Sequence, residues 1–348
     1  MTTSVTNSSM SSMTQLSVLK LQDRLSKAQG ELASGRLADI GISLGFKQGE
    51  SISLRQALDM LDAFANSNAV VSTRLDSAQS ALASIAAAGS GFSGTLMAAQ
   101  STGLSASVLQ QNASQALTAV TEVLNASTSG SYVFAGENSS VKPLQAFDQT
   151  PPSAAQLALE AAFQSAFGVA IGSPGASAIT PTQMQQFLGN QFADQFGDSN
   201  WKANWSMADD QPMQAQISTD QVISTSVTAN DQSLRKVMSA LGMISGLGLE
   251  ALNANTRQTV LGTAAGTLQT GLAGLTTVQS SLGLTQQTVS DANTRTTQEV
   301  NLLTSRVSDL ESVDPAQLSI EINALKTQLE TTYSLTAQLQ NLNLVKYL

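Results

Sequence analysis

The sequence places Leu318, Ile322, Leu325 and Leu329 at steps of 4, 3 and 4, leading into and along a stretch that reads SIEINALKTQLETTYSLTAQLQNLNLVKYL from Ser319 to Leu348. That spacing is the a/d seam of a coiled coil, the narrow apolar stripe that a helix shows to one partner helix. The stripe drifts on through Tyr333 and Leu335 to Leu339 and Leu342, and neither glycine nor proline interrupts it. A terminal segment frays unless something ties it down, so a leucine-rich helix here needs a partner in the same chain or a neighbouring one. The same seam occurs at the other end, where Val18, Leu21, Leu25, Ala28 and Leu32 fall at steps of 3, 4, 3 and 4. Asp23–Lys27 and Lys27–Glu31 stand at i,i+4 on its outer face, each worth a few tenths of a kcal/mol. Two such seams predict that the termini meet in a coiled coil; an ordinary bundle that begins and ends with long helices fits the pattern as well.

Between these ends the periodicity predicts a mainly α fold: a long coiled-coil-like helical rod formed by both chain ends, with a small mixed α/β middle domain. Residues 1–10 are polar and expected to be disordered, and the first helix is expected over Ser12–Ser34, stopping at Gly35. The linker Gly35–Ser51, with four glycines by Gly49, reads as extended or looping. Its apolar residues Leu37, Ile40, Ile42, Leu44 and Phe46 are expected along a neighbouring surface. A helix follows over Ile52–Ala88, with a stripe through Leu58, Leu61, Ala65, Asn68, Leu75, Ala78, Leu82 and Ile85. Gly89-Ser90-Gly91 reads as its end. A second helix is expected over Ser105–Ala126, and Ser131–Gly136 as a turn into a short strand.

Residues 141–230 hold six of the seven prolines, six of the ten phenylalanines and both tryptophans, which marks a middle domain or insertion. Met213, Ala215 and Ile217, then Thr225 and Val227, alternate with polar residues like strands. From Asn253 to Glu311 there is no proline, and one helix of about 60 residues would run about 90 Å at about 1.5 Å per residue. Asp314-Pro315 ends it, since Pro315 disfavours a helical residue before it. The expected organisation is 1–50, N-terminal arm and linker; 51–145, first half of the rod with a short strand; 146–230, variable middle domain; 231–313, second half of the rod; 314–348, C-terminal arm.

Composition narrows the chemistry. The chain has no cysteine and no histidine, which removes disulfides, zinc-thiolate sites, cysteine nucleophiles and Ser-His-Asp arrangements. A net charge of −9 without a Lys/Arg cluster argues against nucleic acid or anionic lipid as partner. No run of 18 apolar residues occurs, so no membrane span is expected, and the first ten residues lack the basic and apolar regions of a cleaved signal peptide. Gly262, Gly266, Gly271 and Gly274 mimic a phosphate loop but lie within a heptad pattern, which favours close helix packing. Asp209-Asp210 reads as a solvated loop, Gly35-Arg36 as a helix C-terminus followed by a cation, and Trp201 with Trp205 as core or as a stacking patch. No enzyme site, metal site or cofactor is expected. The candidate interface residues are the seam positions Val18, Leu21, Leu25, Leu32, Leu318, Ile322, Leu325, Leu329, Leu339 and Leu342.

Three segments carry a resemblance. Glu31-Leu32-Ala33-Ser34-Gly35-Arg36 resembles the L-[SA]-[ST]-G-[KR] signature of the flagellin-like axial proteins of the bacterial flagellum. Tyr132-Val133-Phe134-Ala135-Gly136, followed by Pro143 and Leu144, resembles the strand of the hook–filament junction branch of that family. The ending Leu342–Leu348 is similar to that branch's hydrophobic terminus. The similarity covers about residues 11–145 and 230–348. The linker Leu37–Gly49 departs from the family by lacking N-[PS]-[AS]-D-D. The resemblance implies a structural, ring-forming subunit between the first hook-associated protein and flagellin, outside the cell. It also implies unfolded export through the type III apparatus with a cytoplasmic chaperone on the C-terminal helix. A filament flagellin is the alternative, and a coiled-coil fibre or secretion component outside the flagellum a further one.

Overall fold

The computed structural model describes residues 2–102, 104–128 and 130–341, with side chains described for 12–100, 104–128 and 130–338. The fold is mainly α. Helix α1 spans Thr2–Ser34, α2 Ile40–Leu44, α3 Gln48–Thr102, α4 Ala106–Leu124, and a two-stranded hairpin joins β1 (Ser127–Thr128) to β2 (Ser131–Tyr132). Then come α5 (Ala154–Phe167), α6 (Pro181–Phe187) running into a π-helical turn at Leu188–Phe192, and α7 (Asp198–Asn204). A second hairpin pairs β3 (Gln214–Ser218) with β4 (Gln221–Ser224); α8 (Gln232–Gly246), α9 (Ala254–Glu311) and α10 (Pro315–Asn341) complete the chain. The chain divides into a terminal unit, built from residues up to Ala63 and from Thr297 onward, and an internal unit, Phe64–Thr296.

The internal unit has one continuous apolar core. Val71, Leu75, Ala78, Leu82 and Ile85 of α3, Leu261, Leu268, Leu275, Leu282 and Val289 of α9, and Leu109, Ala113, Leu117, Val120 and Leu124 of α4 are buried in it. The same cluster takes in Phe147, Phe163, Phe187, Phe192, Trp201 and Trp205, so burial runs unbroken across positions 146 and 230. Trp201 and Trp205 stack with ring centroids 5.5 Å apart, and Phe147 stacks on Trp205 at 5.1 Å. These rings are core side chains; none is left as an open stacking platform.

Several elements differ from the sequence expectation. Helix α1 starts at Thr2 rather than Ser12, because nothing before Gly30 is a glycine or proline. The linker is not extended: α2 and a 3₁₀ turn, Gly45–Lys47, lead directly into α3. Asp39 nucleates this turn by accepting the Ile42 N–H at 3.1 Å, an N-cap that outweighs the surrounding glycines. Of the linker's apolar side chains, Leu37, Ile40 and Leu44 are half-buried while Ile42 and Phe46 stand in solvent. Of Ser131–Gly136, expected as a turn into a short strand, Ser131–Tyr132 is strand, and Val133, Phe134 and Ala135 lie buried beyond it.

The largest difference is at Gly89-Ser90-Gly91, where α3 continues without a break to Thr102. Gly89 is buried against α9, and a Cβ built there would stand 2.8 Å from Leu272 Cδ2. The glycine sets the closest approach of two helices rather than ending one. The expectation of no membrane span also needs correction by the letter: within Ile40–Gln100 one 18-residue window reaches mean hydropathy 1.3. Scattered Ser and Gly hide it from a search for unbroken apolar runs. A third of that window is buried by packing, as in a helix that borders a protein core.

The contrast between two glycines of α3 is testable. Gly89→Val should destabilise the internal unit by about 1–3 kcal/mol through overpacking on Leu272. Gly91→Ala, where nothing lies within 4 Å, should stabilise it by about 0.5–1 kcal/mol. Thermal unfolding followed by Trp fluorescence reads both.

Candidate assembly interface

In the terminal unit α1 packs along α10. Ala28, Leu318, Ile322 and Leu325 form a buried apolar cluster, with Leu21, Leu25 and Val313 packed against it. The candidate residues Leu21, Leu25, Leu318, Ile322 and Leu325 are therefore brought together within one chain. Val18 and Leu329 are half-buried, and Leu32, the last residue of the α1 stripe, is exposed. Leu339 and Leu342 lie outside the residues whose side chains are described. Two polar contacts cross the pair: Gln22 Nε2 donates to Tyr333 Oη at 2.7 Å, and Arg24 meets Glu321 at 3.3 Å. Both ion-pair partners are half or more exposed, so that contact contributes at most about 1 kcal/mol.

The pairing leaves much apolar surface uncovered. Met13, Leu16 and Leu19 of α1 and Ile320, Tyr333 and Leu335 of α10 are all exposed. Each is large enough to gain about 1.5–3 kcal/mol on full burial. Exposed apolar side chains of this size are candidates for contact with another chain.

Below the arm the turn after α1 is tied to the turn between α9 and α10. Gly35 ends α1 in a left-handed conformation, φ +69°, with its N–H on Glu31 O at 2.8 Å. Arg36 and Ser312 then form an antiparallel bridge, in which Leu37 N–H donates to Glu311 O at 2.9 Å and Val313 N–H to Gly35 O at 3.2 Å. The Ala38 N–H donates to Glu31 Oε1 at 2.9 Å, and Lys27 Nζ lies 3.7 Å from Asp39. On the other strand of the bridge Asp314 caps α10, accepting from Ala316 N–H at 2.8 Å, with Pro315 as the first helical residue. The Glu31–Arg36 motif is thus the place where the two ends of the chain cross.

Glu311 fastens this crossing. Its carboxylate is only 1% exposed and is held from α3 by three donors. Ser51 Oγ donates at 2.7 Å and Arg55 Nε at 2.9 Å to Oε1, while Arg55 Nη2 engages Oε2. The Arg55 guanidinium, with help from Ser51, holds the carboxyl below the usual range for a glutamate, against the opposing effect of burial. The pattern held a signal for this site. Glu311 continues the α9 stripe one step of 4 beyond Val307, and Ser51 and Arg55 lead at steps of 4 and 3 into Leu58. A carboxylate, a cation and a hydroxyl at seam positions require mutual partners.

The second motif, Tyr132–Gly136, lies in the internal unit. Arg74 Nη2 donates to Tyr132 O at 2.7 Å, Ala229 N–H to Phe134 O at 2.8 Å and Asp209 N–H to Ala135 O at 2.9 Å. Gly136 has φ +68°, and a Cβ there would lie 2.7 Å from the carbonyl oxygens of Asp209 and Gln211. Only glycine fits that position. Asp210 pairs with Lys202 and accepts from Asn230 Nδ2 at 2.8 Å. Both aspartates are exposed, as expected of a solvated loop, and Asp210 alone is tied to Asn230. Of the α9 glycines, Gly271 and Gly274 face α8 at Val237 and Ser233, and Gly262 and Gly266 face open space. Among the described residues no group of three His, Cys, Asp or Glu is placed to hold a metal ion.

Long end helices paired in one unit, with a separate apolar core in the other, are the features to be placed among known proteins. The bacterial flagellin N-terminal helical region matches residues 5–139, and the bacterial flagellin C-terminal helical region matches residues 266–348. Together they span well over half of the chain, which belongs to the flagellin-like family. It is a structural component of the bacterial flagellum, extracellular, of a family that self-assembles and associates with other flagellar parts. In fold it is similar to a solved structure described as a flagellar hook-associated protein from Vibrio parahaemolyticus, with a TM-score of 0.52 at 9% identity. That match covers 76% of this chain and 97% of the other. No curated protein sequence matches the chain.

The Glu311 site predicts an acid-sensitive terminal unit. A carboxyl lowered in the folded state stabilises fully above its unfolded value, about pH 4.3, and loses that contribution as pH falls through the lower folded value. Arg55→Ala, which strands the buried carboxylate, should cost about 2–3 kcal/mol at neutral pH. Without the guanidinium, burial raises the Glu311 carboxyl instead of Arg55 lowering it, so the stability gap between variant and wild type should shrink as pH falls and the stranded carboxylate is protonated. Circular dichroism between about pH 7 and pH 3 measures both effects.

Proposed function

We propose that this chain is the junction subunit joining the first hook-associated protein to the flagellin filament, built in as a ring by packing of its terminal helices. The observation that carries the junction reading is the Tyr132–Gly136 segment with Pro143 and Leu144, which resembles that branch and is fully engaged in the fold. The uncovered faces of α1 and α10 support assembly through the arms, with Val18, Leu21, Leu25, Leu32, Leu318, Ile322, Leu325, Leu329, Leu339 and Leu342 as the seam set. The flagellar export chaperone binds the C-terminal helix until the unfolded chain passes through the type III apparatus, without a cleaved signal peptide. A chain without cysteine forms no disulfide that would obstruct such a channel. Residues 146–230 form the variable, outward-facing part, and the flanking segments 1–50, 51–145, 231–313 and 314–348 supply arms and helical body. Filament flagellin is the second reading, favoured by the flagellin matches at both ends.

Deleting the gene in a motile strain separates the two. A junction protein leaves hooks without filaments and flagellin in the medium. A flagellin leaves hooks already tipped by a junction ring and bare of filament. Normal filaments in a strain lacking a paralogue would sink both. Independently, Leu21→Asp and Leu325→Asp should each abolish incorporation, because a carboxylate in a desolvated seam costs several kcal/mol. Trp fluorescence should stay unchanged in both, since Trp201 and Trp205 are buried in the internal unit. Electron microscopy of the complemented strains reads the first effect and emission spectra of purified protein the second.

A further inference from the structure

Helix α8 buries one stripe, Leu234, Val237, Met238 and Leu241, in the core of the internal unit. Arg235, Ser239 and Met243 recur at steps of 4 on a second stripe, and Thr263 and Thr267 stand at the same step on α9. These five residues and Lys236 line a cavity of about 760 Å³ within the internal unit. The π-helical turn, at Leu188 and Gly189, and the entry to α7, at Phe196–Asp198, bound it on the other side. Pockets that take small molecules are of this size, about 300–1,000 Å³. All of its lining but Thr267 lies between the two matched flagellin regions, 5–139 and 266–348. The conserved helical frame of the family therefore does not account for it.

Arg235 is held here by one edge only. Its Nη1 donates to Phe196 O at 3.2 Å and to Asp198 Oδ1 at 2.6 Å, which fixes a guanidinium whose side chain is 15% exposed. The other edge is free: Nε is buried without a hydrogen-bond partner, and Nη2 has no acceptor among the described residues. An unpaired buried donor is costly, and two adjacent guanidinium donors match a carboxylate. Lys236, half-buried beside it, has no ion-pair partner among the described residues. The hydroxyls depart from the pattern of the long helices. Thr263 donates to Thr259 O at 2.9 Å, whereas Ser239 and Thr267 make no side-chain hydrogen bond among the described residues. Ser239 is only 6% exposed, so its hydroxyl has few places other than the cavity to find a partner. Phe196 offers little ring face, since it packs on Phe192, Trp201 and Trp205.

We infer that this cavity binds an acidic sugar of the hexuronate class, its carboxylate on the free edge of Arg235 beside Lys236 and its hydroxyls on Ser239 and Thr267. The lining carries two cations against one carboxylate, and that carboxylate, Asp198, is engaged on the opposite edge of the guanidinium. The cations select an anion in a chain whose net charge is −9. The unengaged hydroxyls select a ligand that carries hydroxyls of its own. An aromatic acid would find no open ring to stack on, and a lone phosphate would fill little of the volume. The inference concerns the internal unit alone and stands whether the chain is a junction subunit or a filament subunit.

Titration calorimetry of the purified full chain with galacturonate and glucuronate tests this, with galactose, benzoate and inorganic phosphate as comparisons. At least one uronate should bind, and each comparison compound should bind at least about tenfold more weakly. Arg235→Lys keeps the charge but loses the paired donors, and should weaken the uronate at least about tenfold. Lys236→Gln and Ser239→Ala should each weaken it several-fold. These two changes leave the Arg235–Asp198 contact in place, so they carry the test if Arg235→Lys disturbs the fold. Trp emission of the ligand-free variants reads the fold, because Trp201 and Trp205 pack on Phe196 at the cavity wall. Absence of binding by both uronates overturns the inference. So does galactose binding as tightly as a uronate, benzoate or phosphate binding more tightly, or uronate binding that Lys236→Gln and Ser239→Ala leave unchanged.

Discussion

A carboxylate removed from water stays ionised only where donors are already in place, and Glu311 is the point on which the terminal unit depends for this reason. Its three hydrogen bonds come from Ser51 and Arg55 of α3, while its own backbone carbonyl receives Leu37 from the turn beyond α1. One residue thus fixes the end of α9 against the start of α3 and against the linker. The cap on α10 begins three residues later at Asp314. The seam residues of α1 and α10 can meet only if both helices leave this crossing in compatible directions. The apolar cluster of Ala28, Leu318, Ile322 and Leu325 then supplies the favourable burial, and the polar crossing supplies the register.

The internal unit solves a different problem, the close approach of long helices. Gly89 of α3 admits Leu272 of α9, and Gly271 and Gly274 of α9 admit α8 at Val237 and Ser233. Along the same helices polar residues cross the interface: Asn68 Nδ2 donates to Asn293 Oδ1 at 2.9 Å and to Ile217 O at 3.0 Å, and Gln286 donates to Asp76 at 2.6 Å. Apolar ridges alone slide over one another at little cost. A buried amide with a specific partner does not, because a shifted register leaves its polar atoms unpaired.

Most of the helical architecture was legible because it rests on period. The heptads of both ends, the proline-free stretch of α9 and the stop at Asp314-Pro315 all appear in the structure, and the residues of the flagellin-like signatures lie where the chain crosses itself and where Phe134 enters the core. What escaped is what depends on neighbours far away in sequence. Gly89 reads locally as a helix breaker, and only the presence of Leu272 reveals it as a contact point. The linker reads as a glycine-rich loop until Asp39 is seen to cap Ile42. Of the candidate interface, the core pairs of the arm were visible as a stripe. The polar crossing at Glu311 left only the fainter signal of charged and hydroxyl residues at seam positions, since a charge there looks like an interruption unless its partner's location is known.

The side chains on the outer faces of the long helices are also suited to packing against further subunits. Only 12% of the chain is charged, yet α9 and α10 present largely polar outer faces. Their hydroxyls do the work that Lys and Glu do on ordinary surface helices. Thr263, Thr270, Thr276, Ser280, Thr288, Thr294, Thr327 and Thr331 each donate to the carbonyl four residues earlier. A hydroxyl engaged in this way is short, already ordered and already satisfied. When a second helix covers it, no buried donor is left stranded. The loss of rotamer freedom is also well below the roughly 1.5–2 kcal/mol that a lysine or glutamate gives up on burial. A helix surface of this kind loses little on being covered.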